Sequence, residues 1–397
     1  MYSLAYAEWT PAEFWAAVGT LLKGQSNEGS ALDALSIRLS ALAGENPVLP
    51  VSRGRVALEM ALQALAERHP FRDEVIVPGY ICPSVIDAIE ACGLKSVAAD
   101  VGYDLNLDPA QTKRCLSSRS LAVVAAHMYG APAQIADLEQ ICAQAGVSLV
   151  DDAAQVLGVD VDGRALGSFG EFGILSFSQS KTVVVGIGDA GGALIVNDPT
   201  LLPAIRRKWE SLPPPSYNSA DLASFVWRAL MQPHSARVAY YAEKISRRYF
   251  GRNWRAAYRF RPRRLANTLA SAALCQLDSL SVRIRGRIRV AQAYNSRLQQ
   301  RGGPYLPQYM PARYLTRVMV LLPKGCDREN LRRALDGRGI QTRISYRLRT
   351  SLISNLPVTT DIAPRLLELP SNSRMSTETI EVISKSLNEL VPQFSPA

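Results

Sequence analysis

The sequence predicts an α/β protein. A large three-layer domain, with a mostly parallel sheet covered by helices on both faces, is followed by a smaller α+β domain. Three observations carry this. Short apolar runs of strand length alternate with helical patterns between Glu74 and Val196, the arrangement of strands joined by crossover helices. The alternation is broken by a basic, aromatic-rich stretch between Pro203 and Arg264, and a second mixed pattern starts at Leu265. The chain has 397 residues, 47% of them hydrophobic, enough for one large core and a smaller one. The expected division is 1–264 for the N-terminal segment and large domain, and 265–397 for a linking helix and the small domain.

In chain order, residues 10–43 read as largely helical, and Thr10-Pro11-Ala12-Glu13 reads as a helix start with proline in the first turn. Val56 to Leu65 is apolar nearly all round and is expected to be a buried helix. The turn Ser52-Arg53-Gly54-Arg55 opens it, where unbonded N–H groups and the helix dipole can receive an anion. An ordinary helix start looks the same. Glu74 to Pro78 is a strand, 79–84 a loop and Val85 to about Cys92 a helix. Further strands run from Leu94 to Ala99 and from Leu121 to Ala126, the latter followed by His127-Met128-Tyr129-Gly130. A helix from Ile135 to Ala145 precedes the strand Val147 to Val150, which delivers Asp151 and Asp152. Ligands of such sheets collect at the carboxyl ends of the strands, where Asp152 falls. Ala193 to Val196 is one more strand.

Leu265 to Leu298 is expected to form one long helix or two, with its arginines on the outer face. Val282 to Arg285 also alternates like a strand, but the length of the segment favours helix. The small domain then comprises a strand Val318 to Leu322, a helix Asp327 to Gly337, a strand near Gln341 to Tyr346 and a final helix Thr377 to Val391.

Charge and cysteine usage narrow the class. The net charge of +10 is concentrated between Pro203 and Arg264, which holds fourteen Lys/Arg against three Asp/Glu. Such a stretch suits an anionic partner or a solvated helical face. Its interleaved aromatics can bind single-stranded nucleic acid, but no nucleic-acid-binding motif accompanies them, so nucleic-acid or membrane contact is not expected. The six cysteines are scattered without a C-x-x-C pair and the three histidines lie far apart. That favours reduced thiols, no metal site and a cytoplasmic setting. Glu8 and Glu13 interrupt the N-terminal stretch, which is neither a secretory signal nor a membrane span.

The chemistry is expected between Leu149 and Asp198. The block contains Asp151-Asp152-Ala153-Ala154-Gln155 at a strand end, then Ser176-Phe177-Ser178-Gln179-Ser180-Lys181, then Gly188-Asp189-Ala190-Gly191-Gly192. A lysine in a small, glycine-punctuated setting, with a carboxylate delivered by a strand, suits pyridoxal 5'-phosphate. The lysine forms a Schiff base with the cofactor aldehyde, and the carboxylate keeps the ring nitrogen protonated.

These residues resemble the DegT-type sugar aminotransferases, pyridoxal-phosphate enzymes of fold type I, over most of the chain. The family's Asp-Ala-Ala-Gln and Ser-Phe-x-x-x-Lys elements appear as Asp152 to Gln155 and Ser176 to Lys181, and its His-x-Tyr-Gly block as His127 to Gly130. The resemblance implies that Lys181 is the catalytic lysine and proton shuttle. It implies further that Asp152 pairs with the pyridinium nitrogen, Gln155 lies near the ring hydroxyl, and Ser176 binds the phosphate with Gly54 and Arg55. The implied enzyme is a homodimer that transfers an amino group, with glutamate as donor, to a nucleotide-linked keto sugar, as in polysaccharide biosynthesis.

Four departures stand out. Arg55 occupies the usual threonine position, so a guanidinium could rebuild the phosphate cup. Cys82 stands where the ring-stacking aromatic is expected, with Tyr80 as the substitute. Pro262 replaces a phosphate-binding asparagine supplied by the partner subunit, with Arg261 or Arg263 beside it. Ser178 stands where a histidine is usual. Two rivals remain: a sugar dehydratase, whose relatives replace the lysine by histidine, and a regulator or binding module that uses the basic stretch.

Overall fold

The computed structural model describes residues 2–4, 8–186, 190–226, 262–298, 303–346, 348–349 and 355–396. Asp189 of the glycine turn, Arg261 and residues 227–260 of the basic stretch lie outside the described residues.

Helices α1 (Pro11–Leu22) and α2 (Ser30–Leu42) open the chain. Thr10 caps α1 as expected: it forms a capping box with Glu13, and Pro11 fills the first turn. There follow β1 (Val48–Val51), α3 (Gly54–Arg68), β2 (Glu74–Pro78), α4 (Pro83–Ala91), β3 (Lys95–Ala99), α5 (Pro109–Cys115), β4 (Ser120–Ala126), α6 (Ile135–Ala145) and β5 (Ser148–Asp152). A short hairpin of β6 (Asp160–Val161) and β7 (Arg164–Ala165) precedes β8 (Phe172–Ser176), β9 (Gly192–Val196) and α7 (Leu202–Ser211).

Seven of these strands form one sheet in the order β1-β9-β8-β5-β4-β2-β3. The five strands from β8 to β3 are parallel; β9 runs antiparallel to β8, and the edge strand β1 pairs antiparallel with β9. The pleat sorts side chains between two cores. Val75 and Val77 of β2 pack with the buried face of α3 and α4, while Ile76 packs on the other face with α2 and α6. Two strands of this sheet are absent from the sequence expectations for physical reasons. β1 contains Pro50, which lacks a ladder donor and is tolerated because β1 is an edge. β8 contains Gly173, where a Cβ would come within 1.9 Å of the Gly167 carbonyl.

The second half starts with α8 (Asn267–Asp278), which packs on the large domain, and α9 (Leu280–Leu298). Strands β10 (Val318–Leu321) and β11 (Leu366–Leu369) form an antiparallel pair, with α10 (Arg328–Gly337), α11 (Pro357–Ile362) and α12 (Thr377–Leu390) around it. A third apolar cluster joins α9, α10 and α12 to the strand pair. Helix therefore prevails over the strand alternative between Leu280 and Leu298. The strand expected near Gln341 to Tyr346 reduces to a single bridge, Arg343 with Glu368. Beyond it the chain leaves β11 and packs Tyr346 against Tyr80 and Tyr129.

The arginines of α9 also differ from expectation. Arg283 and Arg287 are only 5% and 4% exposed, because the N-terminal segment brings carboxylates to them. Arg287 bonds Glu8 at 2.9 Å, and Arg283 bonds Glu13 at 2.7 Å and the Glu8 carbonyl at 3.0 Å. Burial works against the Glu8 charge, but Arg287, two bonds from Ser373 and Arg283 together hold its carboxyl below the ordinary value. Glu8→Ala would strip Arg287 of its carboxylate and leave Arg283 with Glu13, at a cost of about 3–5 kcal/mol. Denaturant unfolding at pH 7 checks this. A depressed folded-state pKa also means stability present above the ordinary carboxyl pKa and lost as pH falls below it. Glu8→Gln should therefore flatten the acid limb of the melting-temperature profile.

Candidate active site

Two adjacent aspartates end β5, and the pleat sends them to different jobs. Asp151 is fully buried and entirely engaged: Oδ1 receives the Nε2–H of His127 at 2.7 Å, and Oδ2 accepts from Gly167 and Phe169 main-chain N–H groups at 2.6 and 3.2 Å. His127 Nδ1 accepts from the Ala133 N–H, which places the ring hydrogen on Nε2. Asp151 thus ties the β5 end to the loop before β8. Among the described residues Asp152 accepts one hydrogen bond, from the Ala154 N–H to Oδ1 at 3.1 Å. Burial raises its pKa; the nearby Lys181 charge, the Ala154 N–H and His127 oppose that rise.

Lys181 sits on the segment between β8 and β9. Burial, and next the positive charge of Arg317, push its pKa down to about 8, against the attraction of Asp152. An amine so shifted loses its proton above about pH 8 instead of above 10.5, which eases the attack on a carbonyl that needs the neutral amine. Its backbone is held firmly. Ser180 before it has φ +63°, a strained left-handed conformation for a side-chain-bearing residue. Arg287 donates to the Lys181 carbonyl at 3.3 Å, Thr182 bonds Tyr314 at 2.9 Å, and the Gln276 amide spans Val184 N–H and carbonyl, both at 2.8 Å.

The start of α3 closes another side. A Cβ on Gly54 would lie 3.0 Å from the Leu175 carbonyl and 3.2 Å from Ser176 Cβ, and one on Gly192 would lie 2.4 Å from Gly54 N. Glycine at both positions lets the helix start press onto the ends of β8 and β9, beside Ser176. Arg53 at the cap makes no side-chain capping bond, so the leading N–H groups rely on other acceptors. The Arg55 guanidinium departs from the sequence expectation. Its Nε bonds Glu59 at 2.8 Å and Nη2 bonds the Asp87 carbonyl at 3.1 Å. The i,i+4 spacing on α3 makes Glu59 the nearer anion. Arg263 runs beside this turn, its carbonyl accepting from Ser52 N–H at 2.9 Å.

Gln155 is 7% exposed, and its Oε1 has no hydrogen-bond partner among the described residues. Tyr80, 1% exposed, bonds Tyr129 hydroxyl to hydroxyl at 3.0 Å, and burial raises its pKa to about 12. Tyr129 has φ +57° and stacks on Tyr346 with centroids 5.7 Å apart. Cys82 is within electrostatic reach of both Lys181 and Arg317.

Sequence reasoning missed the contribution of the residues that follow α9. Arg317 lies 5.7 and 5.8 Å from the ring centres of Tyr129 and Tyr346, with Glu368 and Arg343 behind it. Glu368 inside the apolar strand β11 was the available signal, since a buried acid requires a cation.

Residues 10–388 match the model of the DegT/DnrJ/EryC1/StrS aminotransferase family. The chain is 26% identical over 381 residues to the erythromycin biosynthesis sensory transduction protein EryC1 of Saccharopolyspora erythraea, covering 93% of this chain and 91% of that one. It is 28% identical over 219 residues to GDP-perosamine synthase of Vibrio cholerae, a match spanning 52% of this chain and 58% of that protein. In fold it is similar to Helicobacter pylori PseC, an aminotransferase involved in the biosynthesis of pseudoaminic acid. The TM-score is 0.79 and the identity 16%, covering 99% of this chain and all of that one.

Proposed function

From its membership of the DegT/DnrJ/EryC1/StrS aminotransferase family, to which the chain belongs, we propose that the protein is a pyridoxal-phosphate-dependent transaminase. It moves an amino group from an amino acid, glutamate in the first instance, to the carbonyl of a nucleotide-linked keto sugar. The products are a keto acid and an amino sugar. The observation that carries this reading is Lys181: a half-buried amine whose pKa is lowered to about 8, in the field of Asp152, at the carboxyl end of a parallel sheet.

The residues fit the cofactor. Gln155 Oε1 is a buried acceptor awaiting a donor, and the ring hydroxyl can provide one. Ser176 and the main chain of Gly54 and Arg55 form a small, cationic-ended cup for a phosphate. Asp152 is the carboxylate to hold a proton on the ring nitrogen, Tyr80 belongs to the aromatic wall, and Lys181 binds the aldehyde. Pyridoxal phosphate supplies the electron sink that makes the amino-bearing carbon acidic and carries the amino group between substrates. Lys181 then moves the proton at its Nζ between the two carbons concerned. The family resemblance supports a homodimer whose sites use both subunits, and nothing in the reading requires a metal. Among the described residues, no helix is long and apolar enough to cross a membrane.

The test is direct. The protein mixed with pyridoxal phosphate should develop an absorbance band near ~410–430 nm. Glutamate should bleach it, and a panel of nucleotide keto sugars, read by mass, should show which gains an amino group. A protein that stays colourless with excess cofactor is not a pyridoxal-phosphate enzyme.

A further inference from the structure

Lys181 lies in neither a helix nor a strand, so no ladder holds its peptide groups. Its carbonyl is held from a distant element, by Arg287 of α9. That guanidinium makes three contacts: Nη2 with the Lys181 carbonyl at 3.3 Å and with Glu8 Oε1 at 2.9 Å, and Nη1 with the Thr316 carbonyl at 3.0 Å. Thr316 N–H is in turn fixed to the Tyr129 carbonyl at 2.8 Å, and the next residue, Arg317, acts on the Lys181 charge. Arg287 thus ties the main chain of Lys181 to the segment that enters β10.

Glu8 is what holds the guanidinium in place. Its carboxylate accepts from Arg287, from Ser373 N–H at 3.0 Å and from the Ser373 hydroxyl, with Arg283 Nη1 at 3.4 Å. Gly286 permits this approach, because a Cβ there would come within 2.3 Å of the Ser373 carbonyl. Glu8 has φ +52° and is 2% exposed. A left-handed conformation is unfavourable for a side-chain-bearing residue and persists where surrounding contacts over-determine it, as happens at functional positions. The segment before α1 therefore delivers a strained, buried carboxylate to the arginine that reaches the lysine main chain.

We propose that Arg287 is a positioning residue for Lys181, with Glu8 as its anchor: the pair fixes the peptide that carries the reacting amine, and so the path over which that amine moves its proton. The planar fork of a guanidinium can grip two carbonyls and a carboxylate at once; an ammonium, a point charge, cannot hold all three in that geometry. Proton transfer tolerates little error in placement, since a displacement of about 1 Å can cost on the order of 10²-fold in rate. Arg287 is 4% exposed and these three contacts are to protein, so substrate affinity should be untouched. The assignment rests on the transaminase reading above and extends it to residues beneath the site.

Arg287→Lys and Arg287→Met test it, with Arg283→Met as control. Arg283 belongs to the same buried cluster, but its bonds go to Glu8, Glu13 and Ser279. Well below the melting temperature, Arg287→Met loaded with cofactor should lose about 10- to 100-fold in kcat for L-glutamate with little change in KM. Arg287→Lys, which keeps the charge but not the fork, should lose nearly as much. Arg283→Met should melt lower yet keep its kcat. A second readout needs no turnover: acetic anhydride modifies neutral amines, and peptide mass then gives the pH midpoint of Lys181 in the cofactor-free protein. Beside burial, Arg317, Asp152 and Cys82 act on that amine. A loosened segment admits water and lengthens the distance to Arg317, so the midpoint should rise from about 8 towards 10.5 in both Arg287 variants. Unchanged kcat and midpoint in Arg287→Lys, or an equal fall in kcat in Arg283→Met, would overturn the proposal. So would a raised KM with intact kcat, because Arg287 would then serve binding. Absence of the visible band in the unmodified protein would sink the transaminase reading instead, and the acetylation midpoint would still decide the role of Arg287.

Discussion

Lys181→Ala is expected to abolish the visible band and lower amino transfer by on the order of 10⁴-fold, since covalent attachment and proton transfer fail together. Stopped-flow absorbance with L-glutamate checks this, and Lys181→Arg, which retains a charge but not a usable amine, should be as inactive. The same residue makes an opposite prediction for stability. Its folded-state pKa is depressed to about 8 from an ordinary value of 10.5. Between these values the unfolded chain binds more protons than the folded one, so stability rises with pH across that window. Below it the full cost of burying the ammonium is present. Lys181→Met should therefore stabilise the cofactor-free protein at pH 7 by roughly 1–3 kcal/mol, a gain that shrinks as pH rises from 8 towards 10.5. A variant that is inactive yet more stable is what separates a functional lysine from a structural one.

Asp152→Asn should reduce transfer by about 10²–10³-fold, the scale expected when one preorganised charge is removed from a site. Asp152 contributes little to the fold: Ala154 N–H is its one hydrogen-bond donor among the described residues, and burial opposes its charge. The melting temperature should move little, while glutamate bleaching slows. Asp151→Asn should behave in the reverse way. Asp151 receives His127 and two backbone N–H groups, so losing its charge loosens the loop before β8. Comparing the two variants by thermal melts and single-turnover rates tests the division of labour across one pleat.

Much of the architecture was legible because apolar periodicity records burial directly. Glu74–Pro78 and the helix Ile135–Ala145 occur with the expected bounds, since both faces of the sheet are covered and the runs between turns are continuous. Strands broken by chemistry were not legible. Pro50 disguised β1, glycine disguised β8 and Glu368 disguised β11, each tolerated for a reason that lies in a neighbouring element. The segment proposed to hold the cofactor stood out in the sequence as well, because Asp152, Gln155, Ser176 and Lys181 lie within thirty residues.

Sequence by itself determined the layered α/β plan and the lysine–carboxylate pair, because local pattern and residue type suffice for both. Tertiary structure alone decided which charges meet. It turned Arg55 to Glu59, drew Arg283 and Arg287 inward to Glu8 and Glu13, and set Arg317 of the small domain near Lys181. These partners are up to 279 residues apart. An ion pair needs proximity and exclusion of water, and neither is encoded in the spacing of residues that the fold brings together only at its end.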